Sequence, residues 1–464
     1  MITRIELDGF KTFLDFQLDL GPFQVILGAN GAGKSNLFDA LRLLSRLARL
    51  PVVEAFTDRH GRGTALEQFS LLPDGDRAPR LRLAVEALLD PATTRYQITH
   101  TRLRYTLTIE RRMDTQGLVD LAVVEESLTA LAPEADPWRR QYLPVDQDLP
   151  PLPGTPFIET VTTAAGSRLR AYYDGDQRML WPSEDREYEE QTILSSAGSS
   201  PSLFRHAAAM QAELAALHIL TKLDPDSLRQ PSPILARRTA RLGVDGRGLA
   251  GILARLEAED PGLLADVSRD LAYLVPGMRT VRIETNPAQQ EYNLVVDTQD
   301  GRSFPARVLS DGTLRLLALI ALKNDPEYHG TLCLEEPENG VHPAHLQQMT
   351  GLLRDLASDL QDPAQAGAPL RQVLINTHSP VLVSALVQEL GQPNGAGPYL
   401  VFARMPALVT PGGPAPVRVT RMAPVHGGAA DPAEAAYTLH QVLAYLNTAD
   451  PDESRVILAG DAPT

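Results

Sequence analysis

Residues Gly28-Ala29-Asn30-Gly31-Ala32-Gly33-Lys34-Ser35 fit the spacing G-x-x-x-x-G-K-[ST], and each fixed position has a task in holding a phosphate. The glycines let backbone N–H groups curl around the anion, and the helix N-terminus that follows adds positive potential. Lys34 neutralises the outer phosphates, and the Ser35 hydroxyl can ligate magnesium. The chain carries 39 arginines but 4 lysines, so a lysine at the one place this spacing demands is informative. Far along the chain, Glu335 and Glu336 close the apolar run Thr331-Leu332-Cys333-Leu334. At the carboxyl end of a parallel strand such a pair sits where α/β proteins bind ligands. Strand alternation would turn one carboxylate toward magnesium and the other toward an attacking water. His378 ends a second buried run, between Thr377 and Ser379, in position to touch a γ-phosphate. Ser310-Asp311-Gly312-Thr313 feeds a helix N-terminus. It is read as a second anion-binding element or as a plain cap by Ser310 or Asp311.

To position these groups, the sequence offers an apolar strand at 23–27 running into the glycine loop, then a helix with Leu37, Ala40, Leu41 and Leu44 on one face. Before it lie a strand at 2–7, the turn Gly9-Phe10-Lys11-Thr12-Phe13 and a strand at 14–20. Strand-like runs at 81–88, 104–110 and 118–125 suggest an antiparallel sheet on the edge of the first lobe. The stretch 131–202, with Pro133, Pro137, Pro144, Pro150, Pro151, Pro153 and Pro156, reads as a loop-rich insertion with a hairpin at Asp174-Gly175-Asp176. Helical periodicity returns over 203–223 and 249–274, too short for a long coiled coil. Strands are then expected at 280–284, 292–297, 331–334 and 372–376, with helices at 313–322 and 343–360. Last come strands at 399–403 and 417–421 and a helix at 433–446.

Composition bounds the remaining choices. With 464 residues, length alone predicts two or three domains. No run approaches the roughly 20 apolar residues that span a bilayer, so a membrane protein is not expected. Charges in the first eight residues and a single cysteine, Cys333, fit a cytoplasmic chain without disulfides. Cys333 itself reads as a small buried residue of its strand. The net charge of −15 leaves nucleic-acid binding to a local arginine patch, with Arg139-Arg140 and Arg237-Arg238 plus Arg241 as candidates.

The ordered set GANGAGKSN, LSDGTLRLLAL, TLCLEEPENGVHP and INTHSP closely resembles the ABC-type ATPases of the RecF and SMC kind, in particular the stand-alone, short-armed "AAA family ATPase" proteins. The resemblance covers roughly 1–130 and 205–390. It implies an α/β P-loop NTPase, an ABC-type ATPase head with a mixed sheet, an antiparallel edge sheet and a helical, loop-rich insertion. By resemblance Gly28 to Asn36 form the Walker A loop, Thr331 to Glu336 the Walker B strand, Ser310 to Thr313 the signature, Asn339 to His342 the D-loop, and His378 the switch histidine. ATP and Mg2+ are the implied cofactors, with Ser35 and Glu335 on the metal, Glu336, His378 and Lys34 catalytic, and Gln68 as the glutamine-loop candidate. The Gly9 to Phe13 turn looks like the F-K-x-F of SMC heads, which puts Lys11 near the nucleotide, and Arg62-Gly63 resembles the arginine-glycine after their first helix. Two departures stand out. Asp311-Gly312-Thr313 replaces the Gly-Gly-Gln of transporters, which points away from a transporter subunit, and Glu335 replaces a frequent aspartate.

The same resemblance implies a homodimer in which the signature of one subunit completes the ATP site of the other. Two roles follow as expectations: an ATP-gated device in DNA repair, recombination or anti-phage defence, or an ATP-sensing subunit that controls a separate nuclease or toxin. Residues 391–464 lack the clustered carboxylates of a nuclease metal site. Lys34 and Glu336 must meet although about 300 residues separate them, so the sequential-domain estimate gives way to one head built from both ends of the chain. Its parts are expected at 1–130, 131–280 (insertion and short arm), 281–395 and 396–464 (tail).

Overall fold

The computed structural model describes residues 1–57, 64–90, 96–113, 119–143, 151–163, 166–174, 190–198, 200–220, 223–365, 367–390, 399–408, 416–426 and 437–447. A seven-stranded sheet lies at the centre, ordered Tyr437–Thr438, Arg421–His426, Leu400–Arg404, Phe23–Leu27, Arg371–Thr377, Gly330–Glu335 and His218–Leu220. The five strands from Leu400–Arg404 to His218–Leu220 run parallel, and Arg421–His426 pairs antiparallel at the other side. The parallel strands are mainly apolar along their centres because both faces are covered, with Gln24 and Gln372 as buried polar exceptions. Val25, Leu332, Ile375 and Phe402 enter one core, and Ile26, Cys333, Leu374 and Val401 enter the other, as the two-residue period of a strand requires. Cys333 is fully buried, and that burial pushes its thiol pKa up.

The helix Lys34–Leu47 lies on the second core, burying Leu37, Phe38, Ala40, Leu41 and Leu44. The helix Asp311–Lys323 lies on the first, and every residue from Thr313 to Leu322 is buried. A helix buried all round belongs in the middle of a large core. The expected edge sheet is a second seven-stranded antiparallel sheet, ordered Phe16–Asp19, Ile2–Asp8, Arg80–Leu88, Arg102–Met113, Val119–Ala130, Ile158–Thr163 and Gly166–Ala171. Arg104 on that sheet bonds to Glu86 on the neighbouring strand and to Glu6 on the strand beyond it, a cross-strand ladder of opposite charges. Among the described residues, no helix is long and apolar enough to cross a membrane.

Several expectations about boundaries change. The stretch 131–280 is not separate from the head: its hairpin Ile158–Thr163/Gly166–Ala171 extends the antiparallel sheet, and His218–Leu220 pairs with the Gly330–Glu335 strand. Its helices Leu249–Glu259 and Pro261–Leu274 share a core with Asp311–Lys323. The expected helix over 203–223 ends at Ala215 and gives way to that short strand. Three residues carry no local pattern, and register with Leu332 to Leu334 decides their conformation. The helix over 249–274 breaks at Asp260-Pro261, where Asp260 accepts a bond from Gly262 N and proline, which lacks an N–H, opens a new helix. The hairpin expected at Asp174-Gly175-Asp176 lies largely outside the described residues, as does Arg62-Gly63. The helix expected over 343–360 opens as a 3-10 turn and runs from Leu346 to Asp355.

The tail is part of the head too. Leu400–Arg404 sits beside the phosphate-loop strand, with Val401 opposite Ile26, and Phe402 is fully buried against the rings of Tyr437 and Tyr445. Truncating Phe402 to alanine should therefore cost about 3–5 kcal/mol of unfolding free energy, read as a lower urea midpoint at unchanged slope. A loss below about 1 kcal/mol would mean that the tail strand is peripheral.

Candidate nucleotide site

The Phe23–Leu27 strand delivers its carboxyl end to the glycine loop, and the loop ends at Gly33, the cap of the following helix, with φ +89°. Only glycine occupies that conformation without strain. A side chain at Gly33 would also overlap the Thr420 hydroxyl. The first helical turn contains no acidic residue, so its N–H groups keep their attraction for an anion. Above the loop opens a cavity of about 530 Å3 lined by Asn30 to Asn36, Glu335, Glu336, Asn339 and Asn376. The space, the loop and the charges fit a nucleoside triphosphate with a divalent cation.

Lys34, Glu335 and Glu336 come together in the wall of this cavity. Lys34 is 7% exposed, and its Nζ donates to the carbonyls of Gly28 at 2.6 Å and Ala29 at 2.9 Å. Burial pulls its pKa down to about 8, against the opposing pull of Glu336, Glu335 and Glu338. Glu335 ends its strand with Asn376 Nδ2 3.5 Å from its Oε1. Glu335 and Glu336 both line the cavity, but strand alternation is not what orients Glu336. The strand stops at Glu335, and Glu336 takes a left-handed conformation with φ +46°. Such a bend costs a non-glycine residue about 1–2 kcal/mol. His378 does not line the cavity but bonds through Nδ1 to Glu336 Oε1 at 2.7 Å. Asn339 Nδ2 donates to the other oxygen, Oε2, at 2.8 Å.

Ser310 accepts from Thr313 N at 3.2 Å and so caps its helix. Ser310 to Thr313 do not line the cavity of their own chain, and Ser310 and Asp311 are exposed. Two expected residues fall elsewhere. The Lys11 ammonium is paired with Asp39 at 2.6 Å. Gln68 is buried in a 3-10 turn, where its carbonyl accepts from Lys11 N at 2.7 Å. Neither lines the cavity. An ammonium so close to a partly buried carboxylate is held by it, which the motif alone does not reveal.

Five residues outside the expected set contribute to the site. Arg315, 8% exposed, lines the cavity from the signature helix and donates through Nε to Leu223 O at 2.9 Å. Burial lowers its pKa, with Asp311 and Asp224 acting against that. Thr12 accepts from Asn36 Nδ2 at 2.9 Å and meets Thr420 Oγ1 at 2.7 Å, which ties the first turn, the phosphate loop and the tail together. Asn376 and Met405 also line the cavity. Thr12 stood inside a turn already singled out and Arg315 inside the signature helix, whereas Met405 and Thr420 carried no signal.

The Lys34 environment sets a pH dependence with a definite sign. Below about pH 8 its ammonium is already charged; above it, a phosphate ligand binds only with uptake of a proton. Affinity for ATP should fall as pH rises from about 8 toward the ordinary lysine value near 10.4. Calorimetry at pH 9 in buffers of different ionisation enthalpy should register that proton, and its absence would contradict the assigned environment.

A family model described as "AAA domain, putative AbiEii toxin, Type IV TA system" matches residues 23–128 and 223–384. The chromosome partition protein Smc of Bordetella petrii is 32% identical over 91 residues, which is 19% of this chain and 7% of that protein's length. Among solved structures, the Smc head bound to the C-winged helix domain of ScpA aligns with a TM-score of 0.46 at 14% identity, over 91% of this chain and 98% of that one. The SMC head domain from Thermotoga maritima aligns at 0.38 and 12%, over 92% and 99%. The head with an extended coiled coil from Pyrococcus furiosus, bound to the C-terminal domain of ScpA, aligns at 0.40 and 15%, over 91% and 96%. The family match takes in more than half of the chain, on both sides of its unmatched stretch, and the chain belongs to this family of AAA domains.

Proposed function

We propose that the protein binds ATP with magnesium in this cavity and hydrolyses it, and that two copies close over the nucleotides. The observation that carries the reading is the Glu336 carboxylate, which lines the cavity that holds Lys34 and is gripped by His378 at 2.7 Å. The loop N–H groups and Lys34 hold the outer phosphates, Glu336 orients a water and accepts its proton, and His378 fixes the carboxylate. Magnesium, held from the side of Ser35 and Glu335, would neutralise charge on the phosphate oxygens. The exposed Ser310 hydroxyl and the signature helix N-terminus are free of their own cavity, which supports their donation to a partner's site.

Beyond turnover, we favour a role in defence or in DNA transactions. The family description names a toxin of a toxin–antitoxin system, which supports the defence side, with an ATP-sensing subunit that governs a nuclease or toxin as the alternative. DNA contact, if made, falls to exposed Arg140, Arg238 and Arg241.

Replacing Glu336 by glutamine keeps the shape and removes the base. Hydrolysis should drop by about 100-fold or more while ATP binding persists, and light scattering should find an ATP-dependent dimer. A wild-type rate would remove Glu336 from the chemistry, and a monomer at saturating ATP would remove the two-copy arrangement. Turnover with and without double-stranded DNA tests the DNA role. Stimulation that disappears on neutralising Arg238 and Arg241 supports it, and an unchanged rate excludes it.

A further inference from the structure

The Glu336 carboxylate has a second holder that the resemblance to ATPase heads does not assign. Its two oxygens are taken separately: Oε1 by His378 Nδ1 at 2.7 Å and Oε2 by Asn339 Nδ2 at 2.8 Å. Asn339 also donates its backbone N–H to Glu336 O at 3.1 Å, so residues 336–339 close a tight turn whose side chains point back on one another. The left-handed backbone at Glu336 aims the carboxylate, and with φ alone fixed the side chain would still sample several rotamers. Two donors on opposite oxygens leave one orientation.

The turn is itself seated. Gly340, at φ +74°, lies where an added Cβ would come within 2.6 Å of Arg315 Nη1, and a Cβ on Gly312 would meet Gly340 O at 2.9 Å. The residue after Asn339 is thus wedged against the signature helix, and this fixes where the Asn339 amide can reach. Asn339 also lines the cavity.

We propose that Asn339 is a positioning residue for hydrolysis, its side-chain amide holding Glu336 Oε2 so that the remaining lone pairs face the attacking water. This rests on Glu336 being the base. A carboxylate left with one donor keeps its chemistry but loses its aim, and misplacement of a catalytic group lowers turnover without weakening ground-state binding.

The test uses the full chain and ATP. Asn339→Ala should lower kcat about tenfold with KM for ATP within about twofold, and with an unchanged thermal midpoint because Asn339 is exposed. Asn339→Asp, nearly the same shape but without the donor, should lose at least as much; retention of the wild-type kcat by either variant overturns the proposal. Single-turnover rates in the Glu336→Gln background complete a cycle. If Asn339 acts through Glu336, Asn339→Ala costs little more there, whereas an equal further loss, or a loss confined to KM, assigns Asn339 another role and overturns the proposal. Failure of Glu336→Gln alone to slow hydrolysis would instead refute the underlying assignment of the base.

Discussion

Everything in the site depends on the register of three parallel strands drawn from opposite ends of the chain. Leu27 pairs with Thr377, and Asn376 pairs with Glu335. That alignment ends the three strands level with one another, so the glycine loop, the Glu335-Glu336 pair and His378 emerge side by side. A one-residue slip would turn every side chain of a strand to the opposite face. Here it would drive Val373 and Ile375 out of one core and into the other, and Leu374 the opposite way, so both close-packed cores would have to repack. The chemistry is thus anchored by apolar packing well below it.

The site then concentrates charge that packing alone would not tolerate. Lys34 is buried with Glu335, Glu336 and Glu338 as its electrostatic neighbours, and burial outweighs their attraction, since its pKa falls. Glu338 is 8% exposed and its pKa is raised, first by burial and further by the like charge of Glu336. Thr377 donates to Glu338 Oε1, while Oε2 has no hydrogen-bond partner among the described residues. Unsatisfied buried polar groups each cost about 1–3 kcal/mol. Stability is given up at the strand ends, at a carboxylate that does not itself line the cavity, and is recovered in the two cores.

Chemistry was legible in the sequence wherever a function is carried by adjacent residues. The phosphate loop must be contiguous, because consecutive N–H groups make the cradle, and Glu335-Glu336 and Thr377-His378 mark strand ends by their contrast with apolar runs. Illegible were contacts that join distant segments. His218–Leu220 is a strand only because Leu332 to Leu334 lie beside it, and the tail enters the head because Val401 finds Ile26. Strand alternation does not orient Glu336 for a related reason. The strand stops one residue short of it, and Glu336 N donates to Asn376 O at 2.9 Å from a left-handed backbone.

The tail strand changes how the loop itself should be understood. The Gly33 position is closed from outside by Thr420, whose side chain is fully buried and bonded to Thr12, which in turn receives Asn36. Thr420 N also donates to Thr12 O at 2.8 Å, so backbone and side chain both fix its height above the loop. Glycine at 33 is therefore demanded twice, by a conformation open to few residues and by a wall that leaves no room for a Cβ. A phosphate loop is often treated as a self-contained motif, since its sequence is enough to recognise it. Here its floor is built by a turn about 20 residues upstream and its wall by a segment near the other end of the chain. The rigidity that lets backbone N–H groups bind an anion without reorganising is thus supplied by residues that no motif contains.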